Sequence, residues 1–400
     1  MNSTTLPPSV VVVKQSKWTK LFLRTLERIA VGEIKLTTPN GDVLNFSGEA
    51  NGVSVHLRVN DWRFCERIFM KSDIGLGESY MLGEWESDNV NGLIRLAVEN
   101  ENALKNIVKG SVLSILFYRL KHLLNRNTKK GSKRNILAHY DLGNDFYSLW
   151  LDESMTYSSA LFASEGCNLK EAQLRKYQNI IDQLNAKPGA HILEIGCGWG
   201  GFAEYAAAQG FKVTGITISE EQYQFARKRV KQFGASVDIQ LKDYRDLEGS
   251  FDHVVSIEMF EALGKAYWSK YFEVIRKVLK PNSSAVIQTI TIRDESFASY
   301  SRGTDFIQQY IFPGGMLPGP SRFVISAQKK GLQLTGRTDF GQDYAKTLAE
   351  WESNFTNVEQ EVRSLGFDDT FIRMWRFYLK YCQGGFESGK LGVSQFRLQS

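Results

Sequence analysis

From Trp18 onward the apolar positions switch between two periods. WTKLFLRTLERIA places them at helical spacing, whereas GEIKLTTPNGDVLNFSG and VSVHLRV alternate apolar with polar, the period of half-buried strands. Asn40-Gly41 between two such runs predicts a hairpin. Residues 62–100 return to a mostly helical pattern, so 18–100 reads as a small α+β domain with a sheet of its own. Residues 1–17 show neither period and read as a flexible lead. In 136–400 short apolar strands alternate with helices. HILEI, FKVTGITIS, VDIQLKDY, FDHVVSIEMF and SAVIQTITI are the strands, with QYQFARKRVKQF and YWSKYFEVIRKVL among the helices. That βαβαβ succession predicts an α/β fold with a mostly parallel, doubly wound sheet, which binds its ligand at the carboxyl ends of the strands.

Composition changes this picture in one place. Apolar residues at 42% and charged residues at 23% are ordinary globular values, so disorder, collagen and coiled coil are excluded, and the net charge of +5 names no partner. Localised, the charge says more. Between residues 105 and 134 lie nine cations and no acid, with apolar residues at helical spacing. A basic amphipathic helix and linker over 101–135 has the composition of an element lying on an anionic membrane. A basic helix packed on the next domain, or a solvated linker, is the competing reading. Four cysteines without CxxC spacing argue against a zinc site and a disulfide framework, so no metal is expected. No window holds the roughly 18 apolar residues of a spanning helix. The expected location is the cytoplasm, peripherally on the membrane, without nucleic acid.

The chemistry begins at Glu194-Ile-Gly196-Cys197-Gly198-Trp199-Gly200, where the first strand of the α/β domain meets its first helix. Glycines there let a ligand approach the backbone closely. The spacing contains GxGxG, and the second strand closes on Thr-Ile-Ser rather than on the acid of a nicotinamide site. E-x-G-x-G-x-G resembles motif I of the class I S-adenosylmethionine methyltransferases. Thr217, Ser219 and Gln222 after the second strand offer hydrogen bonds to a cofactor's ribose or amino-acid part. Asp243, Tyr244 and Arg245 follow the third strand, where a carboxylate and a ring suit adenine. Asp243 as a helix N-cap is the competing reading.

AHYDLGNDFYSLWLDESMTYSSALF (138–162), VSIEMFEALG, YIFPGGMLP, DYAKTL and YCQGGF closely resemble the cyclopropane-fatty-acyl-phospholipid synthase family, which includes the mycolic acid cyclopropane synthases. The resemblance spans about 135–400, and 18–100 looks like the extra N-terminal domain of the phospholipid-acting branch. It implies a class I methyltransferase domain that moves the methyl of S-adenosylmethionine to the cis double bond of an unsaturated phospholipid acyl chain. A carbocation follows, then proton loss and ring closure. Tyr157, Ser158, Trp199 and Tyr244 are implied cofactor contacts. A bound bicarbonate is the implied base, and motif matching puts its holders at Glu261, Ile290, Tyr344, Ser159 and Gln288. The last two depart from the family's Cys and His. Both still hydrogen-bond an anion, but the departure opens a methyl- or methylene-branched product beside the cyclopropane.

Glu258 and Glu261, three apart, would share a face of a helical turn, as an acid–base pair or with Glu258 merely structural. Cys382 matches a cysteine given a catalytic role in the family, although alkene methylation needs no thiol, and a small buried residue is the plainer reading. His139 either orients a loop over the cofactor or is structural. Residues 313–321 form a Pro/Gly loop that lines an acyl entrance or simply connects. A homodimer through the N-terminal domain is implied by resemblance only. A soluble small-molecule methyltransferase and a non-enzymatic lipid binder are the rival classes.

Overall fold

The Ser16 hydroxyl accepts a hydrogen bond from the Thr19 N–H and starts α1, Lys17–Leu26, in the computed structural model, which describes residues 16–104, 142–163 and 166–400. Of the expected basic amphipathic helix and linker over 101–135, only 101–104 are described, as a helical turn, and 105–135 and His139 lie outside the described residues. Three strands follow α1: β1 (Val31–Thr37), β2 (Val43–Ser47) and β3 (Ala50–Val59). β1 and β2 pair antiparallel around Gly41, whose φ of +88° is the left-handed turn geometry that Asn-Gly favours. β3 runs parallel to β1, and β4 (Trp85–Ser87) closes a four-stranded sheet in the order β2-β1-β3-β4. Ile34, Leu36, Val55 and Leu57 are buried. Helices α2 (Arg63–Met81) and α3 (Val90–Glu99) complete this unit, α2 with a break at Ser72, φ +56°.

The core of the N-terminal unit is continuous with that of the α/β part. Phe22, Leu57 and Phe64 belong to one apolar cluster with Trp150, Trp351 and Trp375 of the α/β part.

The second sheet has seven strands: β5 (His191–Ile195), β6 (Lys212–Thr217), β7 (Val237–Leu241), β8 (Phe251–Ile257), β9 (Leu279–Ile292), β10 (Gln333–Asp339) and β11 (Leu391–Gln399). Their order is β10-β11-β9-β8-β5-β6-β7. β5 to β9 are parallel; β11 is antiparallel to both neighbours. The sheet is the expected doubly wound one, with two strands the pattern did not announce. β10 is half-exposed along its length and interrupted by Gly336. The chain winds outward from β5 in both directions, so the loops after β5 and β8 flank the crevice where such sheets take ligands.

The site-bearing helices are α4 (Gly143–Trp150), α5 (Leu169–Leu184), α6 (Gly201–Ala208), α7 (Glu220–Arg229), α8 (Trp268–Val278), α9 (Asp294–Tyr300), α10 (Phe306–Tyr310), α11 (Pro320–Gln328), α12 (Gly341–Asn357), α13 (Glu359–Ser364) and α14 (Asp369–Glu387). α14 packs on α2, α3 and α12, joining the units. Among the described residues no helix is long and apolar enough to cross a membrane.

Candidate active site

One cavity of about 880 Å³ runs from the β5–α6 loop into the space between the two units. Every sequence-predicted cofactor residue lies on its wall except Gly200 and Ser219. Gly200, at φ +82°, starts α6, and the Ser219 hydroxyl accepts the Gln222 N–H to cap α7; both shape the wall from behind it. Gly196 requires its lack of a side chain: φ is +85°, and a Cβ would sit 2.9 Å from the Met259 side chain. Cys197 packs against Gly215. Thr217 donates to the Gln222 amide oxygen at 3.0 Å.

Asp243 is clamped by its neighbour Arg245 through two side-chain bonds of 2.6 and 2.8 Å, and it caps the turn Tyr244–Asp246, as the capping reading expects, while it also lies on the cavity wall. Tyr244 packs its ring edge on Tyr271, and the Trp199 indole N–H donates to Asn144 at 2.6 Å. Tyr157 shares a 2.7 Å hydrogen bond with Tyr378 and packs against Tyr147, Trp150 and Trp351.

The carboxyl groups of this cavity are desolvated. Glu194 is 2% exposed; burial pushes its carboxyl well above the ordinary range, and its Oε2 has no partner among the described residues. A buried orphan oxygen on a cavity wall is a seat for a cation. Glu258 and Glu261 do not share a helical face. Glu258 leaves β8 at φ +51°, a strained conformation for a non-glycine, and Glu261 lies in a separate short turn, Phe260–Leu263.

The Glu258 carboxylate gathers three donors: Ser159 N–H at 2.9 Å and Gln288 Nε2 at 2.8 Å on Oε1, and Tyr344 Oη at 2.7 Å on Oε2. Burial still raises its pKa. Glu261 accepts from Thr289 Oγ1 at 2.9 Å and from Ile290 N–H, and burial together with the Glu258 charge pushes it up to about 8. Every group matched to an anion holder is thus engaged with one of these two glutamates. Ser159 contributes its backbone, since its hydroxyl turns to the Ala160 carbonyl, and neither Ser159 nor Gln288 reaches the cavity wall.

Sequence reasoning missed what aims Gln288. Its Oε1 accepts from Gln395 Nε2 at 3.0 Å, and Gln395 Oε1 accepts from Asn179 and Gln183, both at 2.6 Å. That chain fixes the amide so that its NH₂ faces Glu258. Met316 N–H, in the loop 313–321, donates to the Glu261 carbonyl at 2.8 Å, and Pro313 and Leu317 line the cavity.

A family model described as mycolic acid cyclopropane synthetase matches residues 127–396. The chain belongs to that family. It is 38% identical over 344 residues to the tuberculostearic acid methyltransferase UfaA1 of Mycobacterium tuberculosis, covering 83% of this chain and 80% of the relative. It is 36% identical over 371 residues to the cyclopropane-fatty-acyl-phospholipid synthase of Escherichia coli strain K12, covering 90% and 91%. Among solved structures, the cyclopropane synthase MmaA2 from M. tuberculosis superposes with a TM-score of 0.63 at 30% identity, over 67% of this chain and 98% of that one. The mycolic acid cyclopropane synthase CmaA1, complexed with S-adenosylhomocysteine and CTAB, gives 0.63 at 29%.

As a member of the cyclopropane synthetase family, this protein is an S-adenosylmethionine-dependent methyltransferase. The cavity suits that cofactor: the glycine turn admits a backbone-close ligand, and Glu194 on the same wall carries a buried oxygen without a partner among the described residues, a group that a cationic ligand would satisfy. Cys382 also lines the cavity, yet burial pushes its thiol up, far from a thiolate at neutral pH. Cys382→Ala is expected to keep turnover within about threefold of the parent, measured with saturating substrates. A loss above about a hundredfold would make the thiol a participant.

Proposed function

We propose that the chain methylates the cis double bond of a phospholipid acyl chain, that Glu258 is the base, and that the product carries an exocyclic methylene branch. The observation that carries this reading is the Glu258 carboxylate on Ser159, Gln288 and Tyr344. These are three of the groups the family resemblance assigns to bicarbonate. A second anion beside Glu258 and Glu261 would meet two carboxylates and no free donor of that set, so the residues do not fit bicarbonate.

Bound cofactor supplies an electrophilic methyl. An alkene is a weak nucleophile, so the protein's part is to hold it close in a dry pocket. The cavity wall continues past the cofactor region into Phe22, Leu57, Phe64 and Leu96 of the N-terminal unit, apolar lining that suits a long acyl chain. Tyr157, Tyr344 and Tyr378 present aromatic rings beside the reacting region, which stabilise a carbocation. Methylation leaves that cation on the adjacent carbon. A 1,2-hydride shift moves it to the methylated carbon, Glu258 takes a proton from the new methyl, and those C–H electrons form the exocyclic double bond.

Ring closure needs the same proton removed before the shift. A carboxylate pinned by three hydrogen bonds is less mobile than a free ion and slower to reach the methyl, which favours the shift. The similarity to a tuberculostearic acid methyltransferase supports the branched outcome. The nine cations of 105–134 support a membrane-surface substrate, at about 1 kcal/mol per cation near anionic headgroups.

Incubation with 13C-methyl cofactor and unsaturated phospholipid, followed by NMR of the released acyl chains, tests the product. Olefinic methylene protons on a 13C-labelled terminal carbon are expected. Far-upfield ring protons in their place would return the reading to cyclopropanation.

A further inference from the structure

α5 carries a lysine where none is expected. Lys176 is 0% exposed, among the largest fully buried side chains of the described residues. Burying an ammonium is costly unless something compensates it. Its two hydrogen-bond acceptors are neutral, Ser158 Oγ at 2.7 Å and Gln173 Oε1 at 2.8 Å, and it lies 4.5 Å over the Tyr177 ring. The compensation therefore comes from carboxylates farther off. Glu258, after β8, is the largest of these attractions, followed by Asp152 after α4 and Glu194 at the end of β5. Tyr177 sits beside it on α5, and the Arg229 guanidinium of α7 also acts on Tyr177 and Glu194.

Ser158 ties the lysine to the reacting region. The stretch 157–160 lines or backs the cavity and is held at every residue. Tyr157 bonds Tyr378, the Ser158 carbonyl accepts from Gln173 at 2.9 Å, Ser159 N–H donates to Glu258, and Ala160 N–H donates to Thr347 at 3.1 Å. One peptide unit separates the hydroxyl that Lys176 grips from the N–H that grips the base.

We propose that Lys176 is a positioning residue of the reaction: its buried ammonium, tethered through Ser158, fixes the loop that binds Glu258 and keeps that glutamate ionised as the base. The inference rests on the reading of Glu258 as the base. It accounts for a buried charge that no cavity contact explains, since Lys176 itself is absent from the cavity wall. Burial brings Lys176 down to about 7 and pushes Glu258 up, and each charge opposes the other's shift. Removing the lysine charge therefore leaves Glu258 protonated to a higher pH.

The experiment compares Lys176→Gln, Lys176→Met, Ser158→Ala and Glu258→Gln in the full chain. Initial rates are measured across pH at saturating cofactor and lipid, and S-adenosylhomocysteine affinity by calorimetry. Lys176→Gln keeps a hydrogen-bond donor without the charge. It is expected to bind S-adenosylhomocysteine within about threefold of the parent and to move the acid limb of the rate profile up by about one pH unit, recovering at alkaline pH. Lys176→Met adds a drop in the plateau rate. Ser158→Ala keeps the charge and loses the tether, so its acid limb stays while its plateau falls about tenfold.

An unshifted limb in Lys176→Gln overturns the proposal. If both lysine variants fail to bind S-adenosylhomocysteine, the Ser158→Ala plateau decides alone, and a parental plateau overturns it. Near-parental turnover in Glu258→Gln would instead sink the reading of the base, whatever the lysine variants do.

Discussion

Replacing Glu258 with alanine is expected to lower turnover about a thousandfold, the span of a lost general base, while S-adenosylhomocysteine still binds. The substitution leaves Ser159 N–H, Gln288 Nε2 and Tyr344 Oη pointing at a space the size of a carboxylate. Their other bonds do not release them. Gln288 is held by Gln395, and the Tyr344 ring packs 4.4 Å from Phe386. Three preorganised donors around a void form an anion site, so millimolar formate or bicarbonate is expected to restore part of the lost rate along a saturable curve.

The restored activity carries a second readout. A mobile anion takes the proton earlier than a pinned side chain, so the rescued enzyme should shift toward cyclopropane, seen as upfield ring protons. Turnover of Glu258→Ala within about threefold of the parent would remove Glu258 from the chemistry. A thousandfold loss that no small anion relieves would mean that the glutamate holds the loop rather than the proton.

How this arrangement could be read from sequence differs from residue to residue. The glycine turn was legible because E-x-G-x-G-x-G sits between an apolar strand and a helix, and the positive φ at Gly196 follows from that context, whereas the close Met259 comes from a distant segment. Glu258 was visible as an acid but not as an anion held by three donors, because i,i+3 spacing suggests a helix and only the left-handed backbone at that residue breaks it. Gln288 looked like a lost histidine. Its function depends on Gln395 of β11, a strand whose alternation is obscured by the preceding Ser388-Gly389-Lys390 turn and by burial of four consecutive residues.

Lys176, inside LRKYQ, reads as one more cation on a charged helix. Nothing local says that its face of α5 meets Ser158 rather than water. The N-terminal hairpin was predictable from Asn40-Gly41. The merger of its core with Trp150 and Trp375 was not, because contacts between distant segments leave no period in the sequence.

Glu194→Gln is expected to weaken S-adenosylhomocysteine binding about 10- to 100-fold, the worth of one buried hydrogen bond to a charged group. The argument turns on its proton. Burial pushes the Glu194 carboxyl well above the ordinary range, against the pull of Lys176 and Arg229, and so favours its protonated form in the free protein. A ligand ammonium beside the orphan Oε2 favours the ionised form, and binding must then release a proton. The sign is fixed: affinity rises as pH rises toward the free-state pKa.

Calorimetry in buffers of different ionisation enthalpy measures that release directly, and in Glu194→Gln it should vanish together with the pH dependence. Methylthioadenosine, which lacks the amino-acid part, should bind parent and variant alike. Equal weakening of both ligands would place Glu194 under the nucleoside. Undiminished binding of both would leave the buried carboxyl a structural group.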